Sequence, residues 1–289
     1  MLTENNQKKS RIVILGARGF IGSAIAKKCL AKNLSVLTIS REDVDLEGSD
    51  AAGILEGILR DGDSVVAAAA VAPVKNSEML TRNLKIVEQI VIALRSKKIS
   101  YLLNISSDAV YADSMELLTE DSVRAPQSLH GVMHLARELC FETLSAPAGI
   151  LCPTLVYGLS DPHNGYGPNS FSRLAKASKD IDLFGKGEEL RDHIFIDDVA
   201  EIGTRMIDRK LTERINVASG KVTSFSSIAS SCLVRCNSNN NLRYLKRSGP
   251  MPHNGYRAFD ISKLKLAFPD FIPTALNDGL ETLFNAEKK

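Results

Sequence analysis

Residues 12–28 read Ile-Val-Ile-Leu-Gly-Ala-Arg-Gly-Phe-Ile-Gly-Ser-Ala-Ile-Ala-Lys-Lys. The apolar run Ile12–Leu15 predicts a buried strand, Gly16 to Gly22 a tight turn, and Ser23 onward the first turns of a helix. Glycine suits such a turn because a Cβ would block a left-handed backbone or the close approach of a diphosphate. A phosphate would then meet the free N–H groups and positive dipole end of the helix. The same glycines also serve a strand-to-helix turn that holds no ligand, but the strand, the helix and the N-terminal position together favour a dinucleotide site.

Outward from that stretch, strand-like and helix-like segments alternate, the pattern of a parallel sheet covered on both faces. Strands are predicted at Arg11–Leu15, Ser35–Ile39, Ser64–Ala68, Tyr101–Ile105 and Gly149–Leu151. Helices are predicted at Ile21–Lys32, Asp50–Arg60, Met79–Lys97 and Leu129–Leu144. In the third of these helices Leu84, Val87, Ile90, Val91 and Leu94 fall at helical spacing. The fold class is therefore α/β, a Rossmann-type doubly wound parallel sheet with a smaller C-terminal lobe. Gly158, Pro162, Gly165, Gly167 and Pro168 crowd residues 158–170 with breakers of regular structure. The expected organisation is a flexible tail over 1–10, a dinucleotide-binding domain over 11–158 with a returning segment near 192–220, and a substrate-binding lobe over 159–191 and 221–289.

A chain of 289 residues with a formal net charge of +2 gives no electrostatic case for nucleic acid or an anionic membrane. No stretch approaches the ~20 apolar residues of a membrane span. The polar N-terminus lacks the apolar centre of a signal peptide. The odd set Cys29, Cys140, Cys152, Cys232 and Cys236 argues against a disulfide framework and forms no metal pattern. Cys232 and Cys236 read as the core face of a helix. The expectation is a cytoplasmic protein without a metal.

Several further motifs stand in order along nearly the whole chain. They are Gly16-x-x-Gly19-x-x-Gly22; Val65-Val66-Ala67-Ala68-Ala69-Ala70; Asn104-Ile105-Ser106-Ser107-Asp108-Ala109-Val110-Tyr111; Pro153-Thr154-Leu155-Val156-Tyr157-Gly158; and Arg191-Asp192-His193-Ile194-Phe195-Ile196-Asp197-Asp198. With them the chain resembles the extended short-chain dehydrogenase/reductases, in particular the NAD(P)-dependent epimerase/dehydratase branch acting on sugar nucleotides. The resemblance implies cofactor contacts at Gly16, Arg18, Gly19, Phe20, Ile21, Gly22, Arg41, Asp45, Leu46, Ala68, Ala69, Ala70, His134, Pro153 and Val156. It implies Ser107 as the catalytic hydroxyl, and a homodimer through the helices Met79–Lys97 and Leu129–Leu144.

One motif departs. Where the family carries Tyr-x-x-x-Lys followed by Glu, this chain has His130-Gly131-Val132-Met133-His134 and then Glu138. Gly131 and Glu138 fix the alignment, so His130 stands at the Tyr position and His134 at the Lys position. An ordinary imidazole titrates near ~6.5, which lets His130 exchange a proton near neutrality without a helper cation. His134 would keep a hydrogen-bonding role toward the nicotinamide ribose. The expected function is therefore an epimerase or ketoreductase of a nucleotide sugar, working by hydride transfer. The alternative is a non-catalytic NADP(H)-binding sensor or scaffold.

The predicted second strand ends in Ser40-Arg41 with no acid at its tip, and Arg18 adds a cation nearby. Both favour NADP, with NAD as second choice. On the substrate side, Arg191 and Arg257 match family positions that contact a nucleotide diphosphate, and a pair of planar guanidiniums suits that group. Taken singly, each would pair with its neighbour Asp192 or Asp260. Asp108, beside Ser107, is a candidate substrate contact, although a helix or turn cap is the preferred reading. Ala109 at the following position disfavours 4,6-dehydration.

Overall fold

The computed structural model describes residues 11–237 and 240–286. The tail expected over 1–10 lies outside the described residues. Twelve strands and nine α-helices are described. In chain order they run β1 (Ile12–Leu15), α1 (Phe20–Ala31), β2 (Val36–Ile39), α2 (Ala51–Ile58), β3 (Ser64–Ala67), α3 (Ser77–Arg95), β4 (Tyr101–Ile105), α4 (Leu129–Glu142) and β5 (Ala148–Pro153). There follow β6 (Leu155–Tyr157), α5 (Pro168–Lys176), β7 (Ile181–Phe184), β8 (Leu190–Phe195), α6 (Ile196–Arg209), β9 (Arg214–Val217) and β10 (Val222–Ser224). The chain ends with α7 (Phe225–Arg235), β11 (Leu242–Leu245), β12 (Tyr256–Arg257), α8 (Ser262–Ala267) and α9 (Leu276–Asn285).

Two compact units form. The first comprises residues 11–106, 128–151 and 200–214 among those described; the second comprises 107–127, 152–199 and 215 onward. The six-stranded sheet has the order β2-β1-β3-β4-β5-β9. Its first five strands are parallel, with Ile12–Leu15 in register with both Val36–Ile39 and Ser64–Ala67. Parallel strands covered on both faces need apolar residues at every position, and β1, β3 and β4 are buried throughout. Val13, Leu15, Val65, Ala67 and Leu102 form the core with Leu55, Ile86, Ile90 and Phe141. In the second unit β8 pairs with β10, β12 and β6, and β7 pairs with β11.

The expected strands and helices of the first unit all form, with ends shifted by a few residues. Helix α3 begins at Ser77 rather than Met79 because the Asn76 side chain accepts the Met79 N–H at 2.9 Å and caps the helix two residues earlier. Pro168, read as a breaker, instead opens α5: the φ of +123° at Gly167 turns the chain, and proline suits the first helical turn.

The boundaries of the units also differ from those expected. Residues 107–127 belong to the second unit because Tyr111 donates to Asn216 Oδ1 at 2.7 Å, Asn216 N donates to Glu120 at 2.8 Å, and Leu118 bridges Phe259. The returning segment is 200–214, shorter than 192–220. Glu201 ion-pairs with Lys28 and Lys32, and the Tyr101 hydroxyl donates to Leu211 O at 2.6 Å.

The turn between β1 and α1 sets the packing of both. Gly16 has φ +82°, and a Cβ there would lie 2.6 Å from both Cα and N of Ala69. A Cβ on Gly22 would lie 2.4 Å from Gly16 O. Gly22→Ala should therefore force α1 off the turn and cost about 1–3 kcal/mol, the usual range for overpacking, read as a lowered urea midpoint.

Candidate functional site

A cavity of about 210 Å³ opens in the first unit beside the glycine turn. Gly16, Arg18, Gly19, Arg41, Asp45, Leu46, Ala68, Ala69 and Ala70 line it, as do Ile39, Ser40, Val44, Glu47, Val71 and Ile86, which the sequence pattern did not mark. Phe20, Ile21 and Gly22 form the first turn of α1. Gly19 caps that helix with no side-chain acceptor, and the turn contains no acid. Backbone N–H groups at such an end are available to an anion. The backbone at Gly16 is cleared of any Cβ, so the residues present fit a dinucleotide diphosphate.

Charges surround the opening. Arg18 pairs with Glu42, and both side chains are largely exposed. Arg41, 65% exposed, reaches Asp45 at 3.4 Å and Glu47 at 3.3 Å. Asp43 accepts the Ser40 N–H at 2.8 Å and the Ser40 hydroxyl at 2.7 Å, bonds that hold its carboxyl below the ordinary range. The floor at Val71 is fixed by Asn83, which accepts its N–H and donates to its carbonyl, both at 2.9 Å.

Helix α4 carries the two histidines in the same unit. Ser128 caps it by accepting the Gly131 N–H at 3.1 Å. One turn apart, the rings of His130 and His134 meet edge to face with centroids 4.7 Å apart. Val74 N donates to His130 Nδ1 at a long 3.5 Å. His134 is buried, and its Nδ1 has no hydrogen-bond partner. Burial, then His130 and Arg137, push its pKa well below that of an ordinary imidazole, so it is neutral. Glu138 is a structural anchor: it accepts the Ser106 hydroxyl at 2.5 Å and is gripped by both terminal nitrogens of Arg214.

The remaining candidates lie in the second unit. Pro153 ends β5, and Val156 lies in β6 paired with Ile194. The hydroxyl of Ser107 accepts the Ala109 N–H at 3.2 Å and caps the short turn 108–110. The cap is therefore Ser107 and not Asp108, whose carboxylate is taken instead by Arg257. Arg257 is buried; it donates from Nε to Asp108 Oδ2 at 2.8 Å and from Nη1 to Asp113 Oδ1 at 3.3 Å. His253 Nδ1 lies 2.5 Å from that same Asp113 oxygen.

Neither arginine pairs with its sequence neighbour. Asp260 accepts the Ser262 N–H at 2.7 Å. Arg191 bonds Glu189 at 2.9 Å and Pro252 O at 2.5 Å, while Asp192 is held by Ser219 and Gly220. The carboxylate partners of Arg257 are nearly 150 positions away in the chain, a separation that no local pattern announces. Asp113, His253 and Arg137 likewise take partners from distant parts of the chain and were not marked by the sequence, nor was Asn83.

A model described as the NAD dependent epimerase/dehydratase family matches residues 12–218. The match covers well over half of the chain, and the chain belongs to that family. It is similar to the uncharacterized UDP-glucose epimerase YtcB of Bacillus subtilis, with 25% identity over 313 residues covering 93% of this chain and 95% of the relative. Among solved structures, UDP-glucuronic acid 4-epimerase from Bacillus cereus, in complex with UDP-glucuronic acid and NAD, superposes with a TM-score of 0.82 at 23% identity, covering 96% of this chain and 99% of that one. The GDP-mannoheptose C4 reductase MlghC from Campylobacter jejuni, with NADP bound, gives 0.80 at 16% identity, covering 98% and 99%. Both share the fold. Among the described residues no helix is long and apolar enough to cross a membrane.

Two outcomes follow from these charges. Arg257→Ala should strand the Asp108 carboxylate and cost about 3–5 kcal/mol of stability, as breaking a buried pair does, measured by urea unfolding.

The second concerns pH. Burial lowers His193 to about 4 and raises Asp192 to about 6, the latter against its bonds from Ser219 and Gly220. On acidification from the ordinary imidazole value of ~6.5 toward 4, the unfolded chain takes up protons that buried His193 and His134 refuse, and stability falls. From about 6 toward about 4, folded Asp192 binds a proton that the unfolded chain does not, and stability rises. Asp192→Asn should remove the opposing contribution and steepen the acid loss, seen in urea midpoints measured across that window.

Proposed function

We propose that the chain is a nicotinamide-dependent oxidoreductase of nucleotide sugars, an epimerase or ketoreductase. The observation that carries this reading is the glycine turn laid on Ala69 at the uncapped N-terminus of α1, beside a cavity lined by the alanines of the 68–70 segment. Family membership and the nucleotide-sugar relatives support it. When bound, the nicotinamide supplies reversible hydride exchange. Gly16, Gly19 and the first turn of α1 would hold the diphosphate, and Ala68–Ala70 would give the cofactor a flat wall.

NADP(H) is the proposed preference over NAD(H). Arg41 and Arg18 stand at the cavity in exposed, solvent-screened ion pairs, which a 2′-phosphate can displace at little cost. His130 is assigned the proton transfer and Ser107 the hydrogen bond to the reacting oxygen. Arg257 and Arg191 have their donors engaged by carboxylates and carbonyls. In this reading they shape the lobe that receives the nucleotide sugar, and Arg257 fixes Asp108 beside Ser107. A homodimer through α3 and α4 belongs to the same proposal, supported by exposed Ile92 and Leu139 on those helices.

One observation favours a second reading. His134 is buried and uncharged, so the position offers no cation. A protein that binds a dinucleotide without turnover would tolerate this. The two readings separate when NADPH oxidation with UDP- and GDP-4-keto sugars and interconversion of UDP- and GDP-sugars in the presence of the cofactor are both followed: either turnover supports the enzyme, and binding with neither turnover the sensor.

The chain has no tryptophan, so the fluorescence of the reduced cofactor reports binding cleanly. NADPH should bind more tightly than NADH, and Arg41→Ala should narrow the gap; absence of binding by both would overturn the proposal. With a substrate in hand, His130→Ala should lose about 10²–10⁴ in rate, the usual contribution of a positioned acid/base, with cofactor affinity unchanged.

A further inference from the structure

Arg137, three residues beyond His134 on α4, is 1% exposed. Its Nε donates to Asn104 Oδ1 at 2.8 Å and its Nη1 to Ala69 O at 2.8 Å, while Nη2 donates to Ala67 O. The guanidinium also lies over the Phe141 ring, 5.5 Å from its centroid. All of these partners are neutral. Burial lowers its pKa to about 10, which leaves it charged at neutral pH. A buried cation held only by carbonyl oxygens is costly, and a well-packed apolar side chain at such a place is often the more stable choice. The carbonyls themselves need donors, but they do not need a charge.

The position of those carbonyls suggests the use of the charge. Ala67 ends β3, and Ala69 belongs to the segment that lines the cavity. The space a Cβ on Gly16 would occupy is closed by Ala69 Cα and N, so the guanidinium bonds the carbonyl of the very residue on which the glycine turn rests. The other cations at the cavity, Arg18 and Arg41, stand in exposed ion pairs screened by solvent. His134 is uncharged. A cation without a carboxylate partner in a site of low dielectric acts over a longer reach than an exposed pair.

We propose that Arg137 is a cofactor-binding determinant: a buried cation behind Ala67–Ala69 whose field favours the diphosphate of a dinucleotide seated on the Gly16 turn. The inference rests on the dinucleotide reading above. It assigns the charge a role separate from the packing of the fork, and the two can be pulled apart. Asn104→Asp leaves the shape and the Nε bond in place but sets a carboxylate on the guanidinium, cancelling its field. Arg137→Met removes the charge and the fork together.

The experiment titrates wild type, N104D and R137M with NADH and NADPH by cofactor fluorescence, and with uncharged adenosine by calorimetry, alongside urea unfolding of each. N104D should raise the dissociation constants of both dinucleotides tenfold or more, leave that of adenosine within twofold, and not lower the urea midpoint. R137M, where it folds, should weaken both dinucleotides at least as much. Dinucleotide affinities in N104D within twofold of wild type would overturn the inference and show Arg137 to be a structural clamp. An equal loss of adenosine binding would also overturn it, by placing the effect in the wall rather than the charge. Failure of the wild type to bind either dinucleotide would instead overturn the functional reading itself, and this inference with it.

Discussion

The contact of Gly16 with Ala69, and of Gly22 with Gly16, is the constraint on which the first unit depends. Two missing Cβ atoms let the β1–α1 turn lie flat on the segment that leaves β3, and let α1 start directly against that turn. The end of β3 must then hold its position, because any shift of Ala69 reopens or closes the cavity. It is held from two sides, by the Asn83 amide on Val71 and by the Arg137 fork on Ala67 and Ala69. Each of these side chains comes from a helix, α3 or α4, whose apolar face is already fixed in the core. The packing of the helices thus carries through to the shape of the cavity wall.

Buried arginines are used in two different ways. In the second unit, Arg257 and Arg191 are buried with carboxylates beside them, Asp108 and Asp113 for one and Glu189 for the other. Such pairs hold a geometry and leave little net field. In the first, Arg137 is buried among neutral acceptors and keeps its charge. A paired guanidinium orders its surroundings; an unpaired one also attracts an anion. The same residue type therefore serves as a brace at Arg257, Arg191 and, in the first unit, Arg214 on Glu138, and as a source of potential at Arg137.

The first unit was largely legible in the sequence because its signals are local. A run such as Ile12–Leu15 needs no distant partner to read as a buried strand, and α3 shows its apolar stripe within a few turns. Gly16 and Gly19 are legible from their spacing, and Ala68–Ala70 from the resemblance to the family; all of them line the cavity. The second unit was not legible in this way. Its strands are short, and its buried arginines take partners from segments far away in the chain, so Arg257 looked like a neighbour of Asp260. Pro168 misled because proline marks a helix start as readily as a break. Arg137 gave no signal at all: an arginine on an amphipathic helix ordinarily faces water, and only the three-dimensional fold reveals that this one does not.

The histidine pair on α4 gains its meaning from that same arginine. Two imidazoles one turn apart and in edge contact do not titrate independently. Burial opposes a proton on His134, His130 opposes it further, and the fixed charge of Arg137 adds to both. The position therefore offers no cation, chiefly because it is buried. Helix α4 is thus graded by depth: the permanent charge sits innermost on Arg137, the neutral ring of His134 lies between, and half-buried His130 stands at the start of the helix.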